Sequence, residues 1–433
     1  MDIAGIHEVS VLPSRIIQIR DGKDREKAEM PKITLDLLTE ASLPGGATCL
    51  TSVTELEPAA GPHASVAPAK FASGRQSDAK GEYAYEKRYL EGVPSQAVII
   101  DSKQSQLNRC EAALAQAVAD GHQVLSRMPR VEVTYQRDGL NEAYSDLTLP
   151  HRIFDGHIRA GSVGGTPVTQ LDAYRAIRNA TPANARAVLN ASPVSLVFGS
   201  WDSSRFTRQG RWRSALVGEI IGFCADNHPA LRGGARVDPV GMQVRLDEAE
   251  LKALAEAQRA ELSAKNFKNA VNAKPKEKGE RISASMLGLG GIPPTLDALG
   301  GVACSRIIRS HVLSFATLRQ MRFGGGHEGD AACRALLAAL ALNALARSDA
   351  ELYLRANCDL RERGPASVDI DQRGGERLVL DALTITEADE LLAAALERAG
   401  QDAGVAWDGV VLQVTGNPAV AVGAVADEEV AGS

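Results

Sequence analysis

The stretch "AVIIDSKQSQLNRCEAAL", residues 97–114, decides how the fold is read. Residues 97–100 are apolar and read as the end of a buried strand, and Lys103, Gln104, Ser105, Gln106, Asn108 and Arg109 follow directly. At about 100° per residue, Leu107, Cys110, Leu114, Ala117 and Val118 fall on one arc of a helix. Gln104, Ser105, Asn108 and Arg109 fall together on another. The segment therefore reads as a strand running into an amphipathic helix. Asp101 or Ser102 can cap its first turn, which leaves backbone N–H groups at the junction open to an anion. Amides, hydroxyls and a guanidinium on one face suit sugar, phosphate and base edges. They equally suit solvent, so this face alone does not choose.

Working outward, 433 residues exceed the usual size of a single core, and either two domains or one domain with large insertions is expected. A hydrophobic share of 44% with 24% charged residues is that of a soluble globular protein. The start "MDIAGIHEVSVLPSR" has no basic run followed by an apolar stretch, and "ALLAALALNALA", residues 335–346, is too short to span a bilayer. Secretion and membrane insertion are not expected. The six cysteines, at 49, 110, 224, 304, 333 and 358, include no close pair, which argues against a zinc knuckle or a disulfide framework. A reduced, cytoplasmic setting fits that usage.

The formal charge of −6 is unevenly placed: residues 381–433 carry ten acidic groups against Arg398, so the rest of the chain is net +3. Within 200–236, Arg205, Arg208, Arg211, Arg213, Arg232 and Arg236 face only Asp202, Glu219 and Asp226. Within 303–335, Arg306, Arg309, Arg319, Arg322 and Arg334 face only Glu328 and Asp330. Arginine in such excess is what a groove tracking phosphates needs, and ordinary surfaces show it too.

Residues 55–81 read as an irregular excursion ending in Phe71, Arg75, Tyr83, Tyr85, Lys87 and Arg88, either a stacking surface or a loop pinned by buried tyrosines. "HRIFDGHIR", residues 151–159, reads as a strand with His151, Ile153, Asp155, His157 and Arg159 on one face. It lacks a further ligand at a workable spacing, so no metal is expected. In "PVSLVFGSWDSSRFTRQGRWRS", residues 193–214, an apolar strand over 194–198 leads into Trp201 and Trp212 set among Arg205, Arg208, Arg211 and Arg213. That setting suits stacking and cation–π contacts with a single nucleic-acid strand, or a core tryptophan beside surface arginines. Residues 264–281, lysine-rich with Pro275 and Gly279, read as a mobile loop. The glycines at 288, 290, 291, 300 and 301 around "IPPT" match neither phosphate-binding fingerprint and read as turns, so no nucleotide cofactor is implied. "FGGGHEGDAACRALLAALALNAL" reads as a loop entering a core helix.

In chain order, "DSKQSQLNRCEAAL", "HRIFDGHIR", "SPVSLVFGSWDS", "RWRSALVGEIIGF", "ARVDPVG", "GGVACSRIIRSHVLSFATLRQMRFGG" and "ACRALLAALAL" together resemble the backbone subunit of type I-G (formerly I-U) CRISPR Cascade interference complexes, a member of the RAMP superfamily. The resemblance runs from about residue 90 to 350. It implies an α+β fold, an RRM-like (ferredoxin-like) RAMP palm with large finger and thumb insertions. The chain would then divide into an N-terminal region 1–90, a core 91–380 and an acidic C-terminal region 381–433. The implied function is non-catalytic: a subunit that polymerises along the CRISPR RNA and presents it for pairing with target DNA. Its partners would be that RNA, the target DNA, further copies of itself and other Cascade subunits, in the bacterial cytoplasm, with no membrane, cofactor or metal. Carried onto this sequence, the RNA-binding residues are Ser102, Gln104, Ser105, Asn108, Arg109, His151, Arg152, Arg159, Trp201, Ser203, Arg211, Arg213, Arg306, Arg319 and Arg322. The alternative is a RAMP-type endoribonuclease with His151 or His157 as general base, or with Asp155 or Asp202 as a metal-binding loop aspartate.

Overall fold

The computed structural model describes residues 30–73, 80–137, 140–206, 210–224, 230–277, 279–297 and 300–422. At its centre is an eight-stranded sheet. Its longer strands, in chain order, are β1 (Cys49–Pro58), β2 (Tyr85–Leu90), β3 (Val93–Asp101), β4 (Leu216–Cys224), β5 (Cys304–Ser314), β6 (Ser367–Asp371) and β7 (Arg377–Leu380). They stand in the order β7-β6-β1-β5-β4-β3-β2, every neighbour antiparallel, with Leu360–Glu362 also paired to β1. The inner order β6-β1-β5-β4 is that of a ferredoxin-like unit. Helix α1 (Lys103–Ala119) lies in the chain between β1 and β4, and α2 (Gly326–Glu351) lies between β5 and β6. The fold is mixed α+β with a ferredoxin-like sheet, as the resemblance implied. The β2–β3 hairpin widens that sheet beside β4.

Strand β5 shows why one face is covered and the other is not. Ile307, Arg309, His311 and Leu313 are buried, while Arg306, Ile308, Ser310 and Val312 between them are only half-buried. Gly218 of β4 stands opposite His311, and a Cβ at that position would lie 1.9 Å from the imidazole. Only glycine leaves the ring its space. Burial, aided by the nearby Arg309 charge, pulls His311 down to about 3, so the imidazole is held neutral.

The covered face carries α1 and α2. In α1 Leu107, Cys110, Leu114 and Ala117 are buried, the arc set by the helical period, while Gln104 and Asn108 remain exposed. Helix α2 is buried all round over residues 329–345, packed against α1, α3 (Ile385–Ala403) and the short helix Leu35–Ser42. By length and composition α2 could cross a bilayer, yet 94% of its most apolar window is buried inside the fold. The acidic segment after residue 380 supplies α3 and the strand Val410–Thr415, which pairs in parallel with Arg130–Arg137 in a second, five-stranded sheet. Residues 423–433, with the acidic tip, lie outside the described residues, as do Arg75 and Arg208. All six cysteines are free.

Several local expectations need correction. Residues 151–159 are not a strand: Arg152–Phe154 is a single 3-10 turn and Gly156–Ala160 a short helix. The Asp155 carboxylate decides this by accepting from the backbone N–H groups of His151 and His157, which fixes the turn and caps the helix. The apolar run at 194–198 is not a strand either. Pro193–Val197 is a buried helix with proline in its first turn. A short run buried on every side carries no period by which strand and helix can be told apart. In the lysine-rich segment, Ala264–Asn272 is a helix capped by Ser263, and its Ala270 packs with Leu251, Ala255 and Leu287 in a small separate core. "IPPT" lies in the strand Ile292–Asp297, paired with Arg232–Arg236, rather than in turns. Inside the expected excursion, β1 continues to Pro58, and Lys70–Ser73 pairs with Lys80–Tyr83. Tyr83 is buried and donates to the Gly300 carbonyl at 2.6 Å, the pinned-loop alternative.

Candidate nucleic-acid interface

The junction between β3 and α1 is built around a carboxylate. Asp101, the last residue of β3, is fully buried and accepts from Ser105 Oγ at 2.9 Å, Gln106 Nε2 at 2.6 Å and Arg109 Nε at 2.9 Å, and it pairs with Arg355. Burial pushes its carboxyl up, but the Arg109, Gln106 and Ser105 donors together outweigh burial and hold it below its ordinary range. Ser102 caps α1 by accepting from the Ser105 amide at 3.3 Å. Of the four residues on the polar face, Ser105 and Arg109 thus turn inward to Asp101. Gln104 and Asn108 remain to meet a ligand.

Those two open onto a groove of about 1010 Å³ whose walls come from three separate segments. Gln104 and Asn108 line it from α1, His151 and Arg152 from the turn at 151–154, and Trp201 and Arg211 from a short hairpin. The hairpin pairs Ser200 with Trp212 and Trp201 with Arg211. It is entered through Gly199 at φ +78°, where a Cβ would lie 2.8 Å from the Trp212 carbonyl and the Ser214 hydroxyl. Its two tryptophans differ: Trp212 is buried, while Trp201 is 44% exposed, with the Arg211 guanidinium 4.6 Å from its ring centroid. The ring keeps one face engaged by a cation and offers apolar surface to the groove.

Arg152 is held rather than free. It spans from Glu111 Oε2 at 2.7 Å to the Gly199 carbonyl at 2.8 Å, tying α1 to the hairpin base. Burial raises the Glu111 carboxyl, against the opposing pull of Arg152. Sequence reasoning missed Glu111, which lies near the apolar arc of α1. A carboxylate at that position demands a buried cation, and this is the one signal that could have found it.

Beyond Trp201 the groove continues into a pocket of about 580 Å³ lined by His151, His157, Arg159, Trp201, Ser203 and Ser204. His157 Nδ1 lies 2.7 Å from the Tyr135 hydroxyl, and Arg159 reaches Asp202 at 3.4 Å. Gln104, Asn108, His151, Arg152, Arg159, Trp201, Ser203 and Arg211 are therefore brought to one continuous surface. Arg213, exposed, follows Trp212 on the same hairpin. The remaining three sit elsewhere: Arg306 pairs with Glu55 on the sheet, Arg319 donates to the Ala47 carbonyl at 2.6 Å, and Arg322 is exposed with Asp330 at 3.9 Å. Among the described residues no cluster of three or more metal-ligating side chains occurs.

No curated protein matches the chain. Residues 50–227, which hold β1 from its second residue, β2 to β4, α1, every wall of the groove and, except for Val420, every wall of the pocket beyond it, match the family described as CRISPR-associated protein GSU0053 (Cas_GSU0053). A CRISPR-associated domain of this kind is therefore present over that stretch of the chain.

Proposed function

We propose that the protein is a non-catalytic backbone subunit of a type I-G Cascade complex. In this reading it binds the CRISPR RNA in the groove between α1 and the Trp201 hairpin and presents the guide bases to target DNA. The observation that carries this reading is the convergence of Gln104, Asn108, His151, Trp201 and Arg211, from segments up to about a hundred residues apart, on one groove. Amide side chains reach sugar and phosphate, an aromatic ring takes a base, and an arginine beside it takes charge, which is the equipment of a single-strand binder. The CRISPR-associated match over the same residues supports it. The ferredoxin-like sheet serves as an RRM-like palm. The lobe built from Glu248–Ala257 and Ala264–Asn272 serves as a thumb or finger. The setting is the bacterial cytoplasm, with further copies of the chain and other Cascade subunits as neighbours.

A subunit that tracks a fixed length of RNA must meet its neighbours head to tail, so assembly stops where the RNA ends rather than by closing on itself. The number of copies is expected to rise stepwise as the guide spacer is lengthened, read by native mass spectrometry of complexes assembled on spacers of graded length. A copy number that stays constant across those spacers would remove the polymerising role.

A further inference from the structure

The groove does not end at the ridge of α1. Gln104, Asn108 and Ala112 follow one another at helical spacing along the exposed edge of that helix, and Asn108 and Ala112 line two hollows at once. One is the groove that holds Trp201. The other, of about 660 Å³, lies on the far flank of α1 and is walled by Ala113 and Gln116 of that helix and by Tyr353 beyond the end of α2. At Ala112, which is exposed, the ridge between them is no higher than a methyl group.

Tyr353 is 81% exposed. Helix α2 ends on Leu352 at φ +41°, a left-handed conformation usually left to glycine, and the Tyr353 carbonyl then accepts from Arg109 of α1. The backbone of Tyr353 is thus anchored to α1 while its ring is left in solvent. An aromatic ring on an anchored backbone is what a base-stacking platform requires. The cations of this hollow are already spent, Arg109 on Asp101 and Arg347 on Asp389 at 2.6 Å, and Asp120 and Glu351 stand at its rim. Its contact with a strand is therefore stacking rather than phosphate pairing.

We propose that the strand whose base rests on Trp201 crosses α1 over Ala112 and stacks a second base on Tyr353. The proposal rests on the RNA-binding reading of the groove. With its side chains α1 is about 10–12 Å across, which a stacked strand at about 3.4 Å per nucleotide covers in roughly three to four nucleotides. The ligand is a nucleobase of any sequence, because every base has a face to stack.

The test is a fluorescence-anisotropy titration of the full chain with end-labelled single-stranded RNA over a potassium chloride series. Tyr353→Ala is expected to weaken binding about tenfold, within the worth of one stacked base, and to leave the salt slope as in wild type, because no phosphate contact is lost. Tyr353→Phe, which keeps the ring, is expected to restore most of the affinity. Should Tyr353→Ala fold poorly, Tyr353→Leu is read instead, with apolar bulk kept, the ring lost and the same weakening expected. On one strand per chain, the losses from Tyr353→Ala and Trp201→Ala should multiply in the double variant. Ala112→Glu keeps a strong helix former but sets bulk and negative charge on the crossing. It is expected to weaken binding and to remove any further effect of Tyr353→Ala. Wild-type affinity in Tyr353→Ala, alongside weakened binding by Trp201→Ala, would overturn the second platform and leave the groove standing. Equal losses in Tyr353→Ala and Tyr353→Phe would overturn stacking, and two strands bound per chain would overturn the continuous path. Wild-type RNA affinity in Tyr353→Ala with fewer copies per assembled complex would assign the ring to a neighbouring copy of the chain and overturn the base contact. No RNA binding by the unaltered chain would remove both the platform and the groove.

Discussion

Replacing Asp101 with alanine is expected to destabilise the protein by about 3–5 kcal/mol, the range for breaking a buried ion pair from one side. The carboxylate has no solvent exposure, and Arg109 and Arg355 both end on it with side chains only 20% and 27% exposed. Removing it strands two guanidinium groups and leaves Gln106, itself buried, without its acceptor. It also unties β3 and α1 from the segment that follows α2, because Arg355 and the Tyr353 carbonyl are the contacts made from that side. The sign with pH follows from the depressed carboxyl. Its contribution is present above the ordinary value of 3.8 and is lost as pH falls through the lower folded value. The gap between wild type and Asp101→Ala should therefore be full at neutral pH and close in strong acid. Urea unfolding at neutral and acid pH measures both; a loss within about 0.5 kcal/mol at neutral pH would mean that the cluster is not a structural hub.

Trp201→Ala is expected to weaken binding of single-stranded RNA by about 1–3 kcal/mol, the worth of one base stacked on an aromatic ring. The ring is 44% exposed, so its removal should cost binding far more than folding. Changing Arg211 and Arg213 together to alanine should weaken binding to a similar degree for unrelated sequences and flatten the salt slope by roughly one to two units. Stacking is insensitive to salt and phosphate contact is not, so the two variants should separate on a salt series. Equal slopes in wild type and the double variant, both folded, would place the phosphates elsewhere.

How much of this was legible depended on periodicity and on distance along the chain. The arc Leu107, Cys110, Leu114, Ala117 repeats at helical spacing and is buried as that spacing requires, and β5 alternates as a half-covered strand should. The strands expected at 151–159 and 194–198 fail for a shared reason: short stretches held by a single cap or buried on every side contain too few residues for a period to show. The polar face of α1 was legible as polar but not as divided. Ser105 and Arg109 are claimed by Asp101, and the partners that complete that cluster, Tyr353 and Arg355, enter from more than 240 residues away. The basic excess at 200–236 did point to the hairpin that walls the groove, whereas in the equally basic stretch at 303–335 all but the exposed Arg322 is spent on Glu55, Glu362 and backbone carbonyls.

A single RNA strand, as proposed, lies in the groove between α1 and the Trp201 hairpin. Ultraviolet cross-linking of the full chain to single-stranded RNA, with the modified residues located by mass spectrometry, tests it most directly. Adducts are expected on Trp201 and on the peptide containing His151, reduced in Arg211→Ala. Adducts confined to an aromatic on the edge hairpin, such as Tyr89 at 75% exposure, with Trp201 unmodified, would contradict it.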